Sequence, residues 1–217
     1  MGCDIHMVAQ VRDGSTWKTQ KFPNKYFGEW DDEPELSPRF YNDRNYDAFA
    51  ILANVRNGSG FAGCDTGDGF EFLSDGRGFP DGFEVTGDSH GGLWMGDHSF
   101  TWLTLAELES CDWSKTTKQR GWVNGVELKR MRCAEEGIPR SYCGGVSGGQ
   151  IQHVSTQEID RRISEGWPDE RLSKLYCLLE WEETYAEAAG SFYSEWLPKL
   201  RELGQPEDVR IVMGFDS

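Results

Sequence analysis

Asp4 and His6 stand one residue apart at the start of a segment in which Ile5, Met7, Ala9 and Val11 alternate with Asp4, His6, Val8 and Gln10. This alternation is the signature of a half-buried strand running to Arg12, and it turns Asp4 and His6 to the same face. A carboxylate and an imidazole so placed can share a metal ion, or the carboxylate can orient the ring as a general base. The plainer alternative is a strand-end histidine bonded to a neighbouring loop. Cys3 precedes the pair and points to the opposite face if the strand is regular to its end. A thiolate activated by His6, or by the distant His98, would be a nucleophile of the Cys-His type; an isolated thiol is otherwise a small buried hydrophobe.

Asp97-His98-Ser99 forms a second constellation, and His90 lies upstream of it in a glycine-rich stretch. Two histidines on adjoining loops can converge with His6, or simply bond backbone carbonyls. The catalytic candidates are therefore Cys3, Asp4, His6 and His98. For an anionic ligand the candidates are Arg56 and Asn57 at a helix end, Arg77 within Gly76-Arg77-Gly78-Phe79-Pro80, His90 and Ser99. Glycines beside an arginine let the backbone approach a phosphate closely, although a solvated surface arginine is the alternative at Arg77. A D-x-H pair also opens the calcineurin-like metallophosphoesterases. Their Gly-Asn-His signature is absent here, and a hairpin rather than a crossover helix follows the strand, so no metal site is assigned and a divalent cofactor is not favoured. No Walker P-loop, G-x-S-x-G elbow, H-E-x-x-H or EF-hand pattern occurs.

Acidic residues outnumber basic ones by 37 to 22, for a formal net charge of -15. The resulting field repels phosphate backbones and anionic membrane surfaces, which disfavours nucleic-acid polymers and membranes as partners. A small anionic ligand remains compatible, because a few arginines and backbone N–H groups in a pocket outweigh a distant field. DNA mimicry would need one dense carboxylate face, whereas these acids are interspersed with arginines and aromatics. An acidic surface also suits a protein-binding inhibitor of a basic partner. The six cysteines show no C-x-x-C pair and no secretory signal precedes them, which points to reduced thiols in a cytoplasm and away from structural zinc. No apolar run approaches the length of a membrane span. The opening Met-Gly-Cys is no myristoylation signal, since His6 stands where that pattern needs Ser or Thr.

The elements that must position these residues follow from local pattern. Asp13-Gly14 predicts a hairpin after the first strand, with Trp17 to Phe22 returning antiparallel, and a Pro-rich acidic loop runs from Pro23 to Pro38. Tyr46, Phe49, Ala50 and Ala53 recur at helical spacing between Asp43, a cap, and Gly58, a stop. From Asn57 to Gly92 eleven glycines and five aspartates leave few aliphatic residues, so this stretch is loop, either enclosing a ligand or making a surface excursion. Thr104 with Glu107, and Ser155 with Glu158, have the spacing of capping boxes. Trp122 to Val126 reads as a small hairpin, Tyr142 to Gly149 as a flexible connection, and Asp169 to Leu203 as helix bent or broken at Gly190 and Pro198. Val209 to Phe215 is β-prone and suited to pair with the first strand. The expectation is a single α+β domain over residues 1–217: a small antiparallel sheet including the N- and C-terminal strands, packed with several helices and a long Gly-rich loop region, with a helical subregion at 155–204. Trp94, Phe100 and Trp102, in loop-like surroundings, suggest a homo-oligomer.

The chain resembles a group of phage and prophage proteins that begin Met-Gly-Cys-Asp-Ile-His. The match lies at Gly2 to His6, at Phe49-Ala50-Ile51-Leu52-Ala53-Asn54-Val55-Arg56-Asn57, and at Arg77-Gly78-Phe79-Pro80, where Phe79 replaces an expected leucine. It continues at His98-Ser99, at Leu103 to Leu108, at Val209 to Val212 and at Gly214-Phe215-Asp216, leaving Trp122 to Leu203 unanchored. The resemblance implies a context and no settled activity. Small phage proteins made in the host cytoplasm often blunt host defence, and such defences often signal through cyclic nucleotides or ADP-ribose derivatives. Within that context a hydrolase, of phosphodiesterase type, acting on a nucleotide-type signal is the leading expectation, with sequestration of the signal as the alternative.

Overall fold

The computed structural model describes residues 2–24, 35–85 and 93–216. Their strands are β1 (Asp4–Asp13), β2 (Thr16–Thr19), β3 (Phe22–Pro23), β4 (Leu36–Ser37), β5 (His98–Thr104), β6 (Thr116–Asn124), β7 (Gln152–His153), β8 (Leu175–Thr184) and β9 (Val209–Asp216). The helices are α1 (Tyr46–Ala53), α2 (Leu105–Ser110), α3 (Gly125–Ala134), α4 (Thr156–Ser164), α5 (Asp169–Leu172), α6 (Tyr185–Ala189) and α7 (Leu197–Arg201), the last preceded by a π-helical turn, Phe192–Trp196. The chain is α+β, and it divides into two compact units. No helix among the described residues is long and apolar enough to cross a membrane.

The first unit comprises Met1–Asn57, Glu71–Ser114 and Tyr185–Ser217. Its sheet has the order β2-β1-β9-β5, antiparallel throughout. The C-terminal strand thus pairs with the first along its length, from Asp4 opposite Asp216 to Val11 opposite Val209, and is itself covered on the other edge by β5. This central position explains why β9 is buried from Val209 to Phe215. Gly14, at φ +61, makes the turn between β1 and β2 that Asp13-Gly14 predicts. Helix α1 starts two residues later than expected: the Asn45 side chain, rather than Asp43, accepts from the N–H groups of Asp47 and Ala48 at 3.0 Å. It ends on Asn54 in the left-handed conformation, before Gly58 is reached. The Thr104–Glu107 capping box forms in full at α2. Gly190, at φ +54, separates α6 from the π-helical turn, and Pro198 sits in the first turn of α7, as their types dictate. The glycine-rich stretch is anchored here by Leu73 N–H to the Ile51 carbonyl and Gly78 N–H to the Phe100 carbonyl.

The second unit comprises Gly58–Phe70 and Lys115–Thr184. Two expectations fail in it. Asn124-Gly125 does not turn a hairpin: β6 runs straight to Asn124, whose side chain caps α3 by accepting from Val126 and Glu127 N–H groups. Asx oxygen satisfies a helix start as well as it satisfies a turn, and only the apolar face presented by Leu128 and Met131 selects the helix. The segment after Asp169 is not continuously helical either, since Leu175 to Thr184 is the long strand β8, antiparallel to β6 and parallel to β7. Leu175, Cys177, Trp181 and Glu183 are its buried positions, a period of two that the leucines at helical spacing obscured. Gly125 is required where α3 begins, because a Cβ there would lie 2.7 Å from the Leu172 carbonyl.

Candidate functional site

The start of β1, the end of β9 and the start of β5 meet at one end of the four-stranded sheet, and most of the candidate residues gather there. Asp4 lies opposite Asp216 and His6 opposite Gly214, so the Asp216 carboxylate reaches diagonally to the histidine. His6 Nε2 and Asp216 Oδ2 are 3.2 Å apart, and Asp216 Oδ1 accepts from the Asp4 N–H at 3.2 Å. The His6 side chain is 12 % exposed and that of Asp216 26 %, so the pair is shielded but reachable. The Trp94 ring tilts against the imidazole with centroids 4.5 Å apart. Trp94 is held there by a close crossing of backbones. Asp97 N–H donates to the Phe215 carbonyl at 2.8 Å, and a Cβ on Gly214 would lie 2.0 Å from the Met95 carbonyl.

Asp4 does not orient His6. Its carboxylate accepts two hydrogen bonds from Arg44, at 2.7 Å from Nε and 2.6 Å from Nη2, and that guanidinium holds its pKa below the usual carboxylate range. A bidentate arginine outcompetes a single imidazole contact, and Asp216 takes the role the D-x-H spacing gave to Asp4.

Cys3 faces the other side of the sheet. Its side chain is buried, its N–H donates to Tyr46 Oη at 3.2 Å, and burial pushes its pKa up against the opposing pull of a hydrogen bond with Arg56. A neutral, buried thiol is a poor nucleophile. Arg56 holds a left-handed backbone at φ +60, with its guanidinium 5.6 Å from the Tyr46 ring centroid. Asn57 donates to the Asn54 side chain at 2.9 Å. Both residues thus stand at the α1 end of this cluster.

His98 is paired with Phe215 and stacks on its ring, 6.2 Å between centroids, which places it on the Phe215 face and not with His6. The cause is a bulge between His98 and Thr101, where Ser99 adopts φ +53. His98 Nδ1 and Ser99 Oγ lie 2.9 Å apart. His6 and His98 therefore share one end of the sheet without converging. Arg77 is engaged elsewhere, paired to Glu107 at 2.7 Å, donating to the Trp102 carbonyl and lying over that indole. His90 lies outside the described residues. Among the described residues no group of three or more His, Cys, Asp or Glu side chains is placed to hold a metal ion.

Sequence reasoning missed Asp216, Arg44 and Trp94. Only Asp216 left a signal: the expected pairing of the terminal strands, carried one residue further, sets it opposite Asp4. Comparison with protein-family models, with curated proteins and with solved structures finds no match to this chain.

Proposed function

We propose that this chain is a phage-encoded counter-defence protein that works in the host cytoplasm and hydrolyses a nucleotide-derived signal of the cyclic-nucleotide or ADP-ribose type. The observation that carries the catalytic part is the His6–Asp216 pair beneath Trp94. A carboxylate fixed on one imidazole nitrogen sets the ring's tautomer and stabilises the imidazolium that forms when the other nitrogen takes a proton. His6 withdraws the proton of an attacking water as the water oxygen bonds to phosphorus, and returns it to the ester oxygen as the phosphorus–oxygen bond breaks. The net reaction adds one water. Trp94 offers an indole against which a base can stack. The resemblance supplies the phage context and the signal class. Cys3 and Asp4 belong to the frame of this site, one buried and one fixed on Arg44.

Incubation with cyclic dinucleotides and ADP-ribose-type signals, followed by separation of products, tests this reading. Cleavage by the wild type and its loss in His6→Gln are expected. Intact signal recovered after heat release from a stable complex would replace hydrolysis by sequestration, a reading favoured by the burial of the candidate nucleophile Cys3.

A further inference from the structure

Arg210, on β9, is 5 % exposed, and its Nη2 is buried without a hydrogen-bond partner among the described residues. Its Nε donates to Gln10 Oε1 at 2.9 Å, and Gln10 is in turn fixed by donating to Thr19 Oγ1 at 3.0 Å. Two indoles lie beside the guanidinium, with ring centroids 4.1 Å away at Trp17 and 5.9 Å away at Trp102. Each indole also has a second arginine near it, Arg12 at Trp17 and Arg77 at Trp102. Arg12 and Arg77 each hold a carboxylate, Asp208 and Glu107 respectively, whereas Arg210 has none among the described residues. In a chain with 37 acids to 22 basic residues, a buried guanidinium paired only with a neutral amide is out of place. Arginine cannot shed its charge by deprotonation, and indole faces offset only part of the lost hydration.

We propose that Arg210, walled by Trp17 and Trp102, is a binding site for a phosphate group, either free or as the end of a small phosphomonoester. The charge left uncompensated is positive and its open donor is Nη2. With Nε occupied by Gln10, the end-on edge that carries Nη2 is left for a ligand. A phosphate presents more acceptor oxygens to that edge than a carboxylate does and neutralises more charge. Both indoles are half-buried, so they are the walls that yield as the anion enters. Gln10 lies opposite Arg210 and His6 opposite Gly214 on the same two strands, four residues apart, so this site is separate from the one at His6 and stands or falls without it.

The test titrates inorganic phosphate into the full chain at constant ionic strength, with chloride as the reference anion, reading thermal unfolding and tryptophan emission. A saturable rise in Tm and an emission change are expected in the wild type, weakened at least tenfold in Arg210→Met. Gln10→Glu supplies an internal carboxylate to the guanidinium, so it should raise Tm without phosphate and abolish the response to it. Phenyl phosphate saturating at lower concentration than inorganic phosphate would assign the site to a phosphomonoester; equal concentrations would assign it to the free anion. Absence of a saturable response in the wild type overturns the proposal, as does an unchanged response in Gln10→Glu, which holds even if Arg210→Met does not fold.

Discussion

At His6 the chemistry and the architecture separate cleanly. His6→Gln keeps a hydrogen-bonding side chain beside Asp216, so folding should survive while turnover falls by roughly 10²–10⁴-fold, the usual worth of a positioned acid or base. Turnover and thermal unfolding measured on one preparation check this; full turnover in the variant would remove His6 from the chemistry. The cysteines give a second residue-level expectation. Cys133 is exposed, whereas Cys3 and Cys177 are buried and burial raises both pKa values, that of Cys177 to about 11. Under native conditions a maleimide should label Cys133 fastest and leave Cys3 and Cys177 until the protein unfolds, as peptide mass mapping would show. Rapid labelling of Cys3 would reopen its candidacy as a nucleophile.

Among the elements, α3 depends on its first residues. Asn124→Ala removes the side-chain oxygen that receives two backbone N–H groups and should cost about 1 kcal/mol, readable in denaturant unfolding. Further along, Glu127 accepts from Arg130 and from the Arg140 N–H, and Arg130 also holds Glu136. The hydrogen bond from Arg130 leads in depressing the Glu127 pKa. A depressed carboxylate stabilises the fold above its unfolded pKa and loses that contribution as pH falls through its folded value. Stability should therefore decline below about pH 4, the ordinary glutamate range, and Glu127→Gln should flatten that decline. At the other end of the chain, Gly214→Ala would drive a methyl into the Met95 carbonyl. The backbone carrying Trp94 must then move off β9, so activity and the Trp94–His6 contact should fall together, visible as a changed tryptophan emission.

For the whole molecule, charge and aromatic content lead to different conclusions. A net charge of -15 leaves no large favourable term for duplex DNA, and no retention on a DNA column is expected even at low salt. Trp94, Phe100 and Trp102, which suggest an oligomer in the sequence, find neighbours within the first unit: His6, Phe79, and the arginines 77 and 210. Light scattering across concentrations decides the assembly, and a mass that stays at one chain would leave these contacts as their whole explanation.

The amino-acid sequence by itself determined what short-range physics controls. Alternation from Asp4 to Arg12 made β1, Asp13-Gly14 made its turn, Thr104 with Glu107 capped α2, and the β-prone terminus became the partner of the first strand. It also brought Cys3, Asp4, His6 and His98 to one end of one sheet, because the strands that carry them start or finish there. Tertiary structure decided everything that depends on register or on a choice between equally good local states. Asp216 rather than Asp4 holds His6 because Arg44, forty residues away, claims Asp4. A one-strand bulge sends His98 to the opposite face, and no periodicity announces a bulge. Leu175 to Thr184 became a strand because β6 offers it a ladder of paired residues, a non-local gain that outweighs the helical spacing of its leucines.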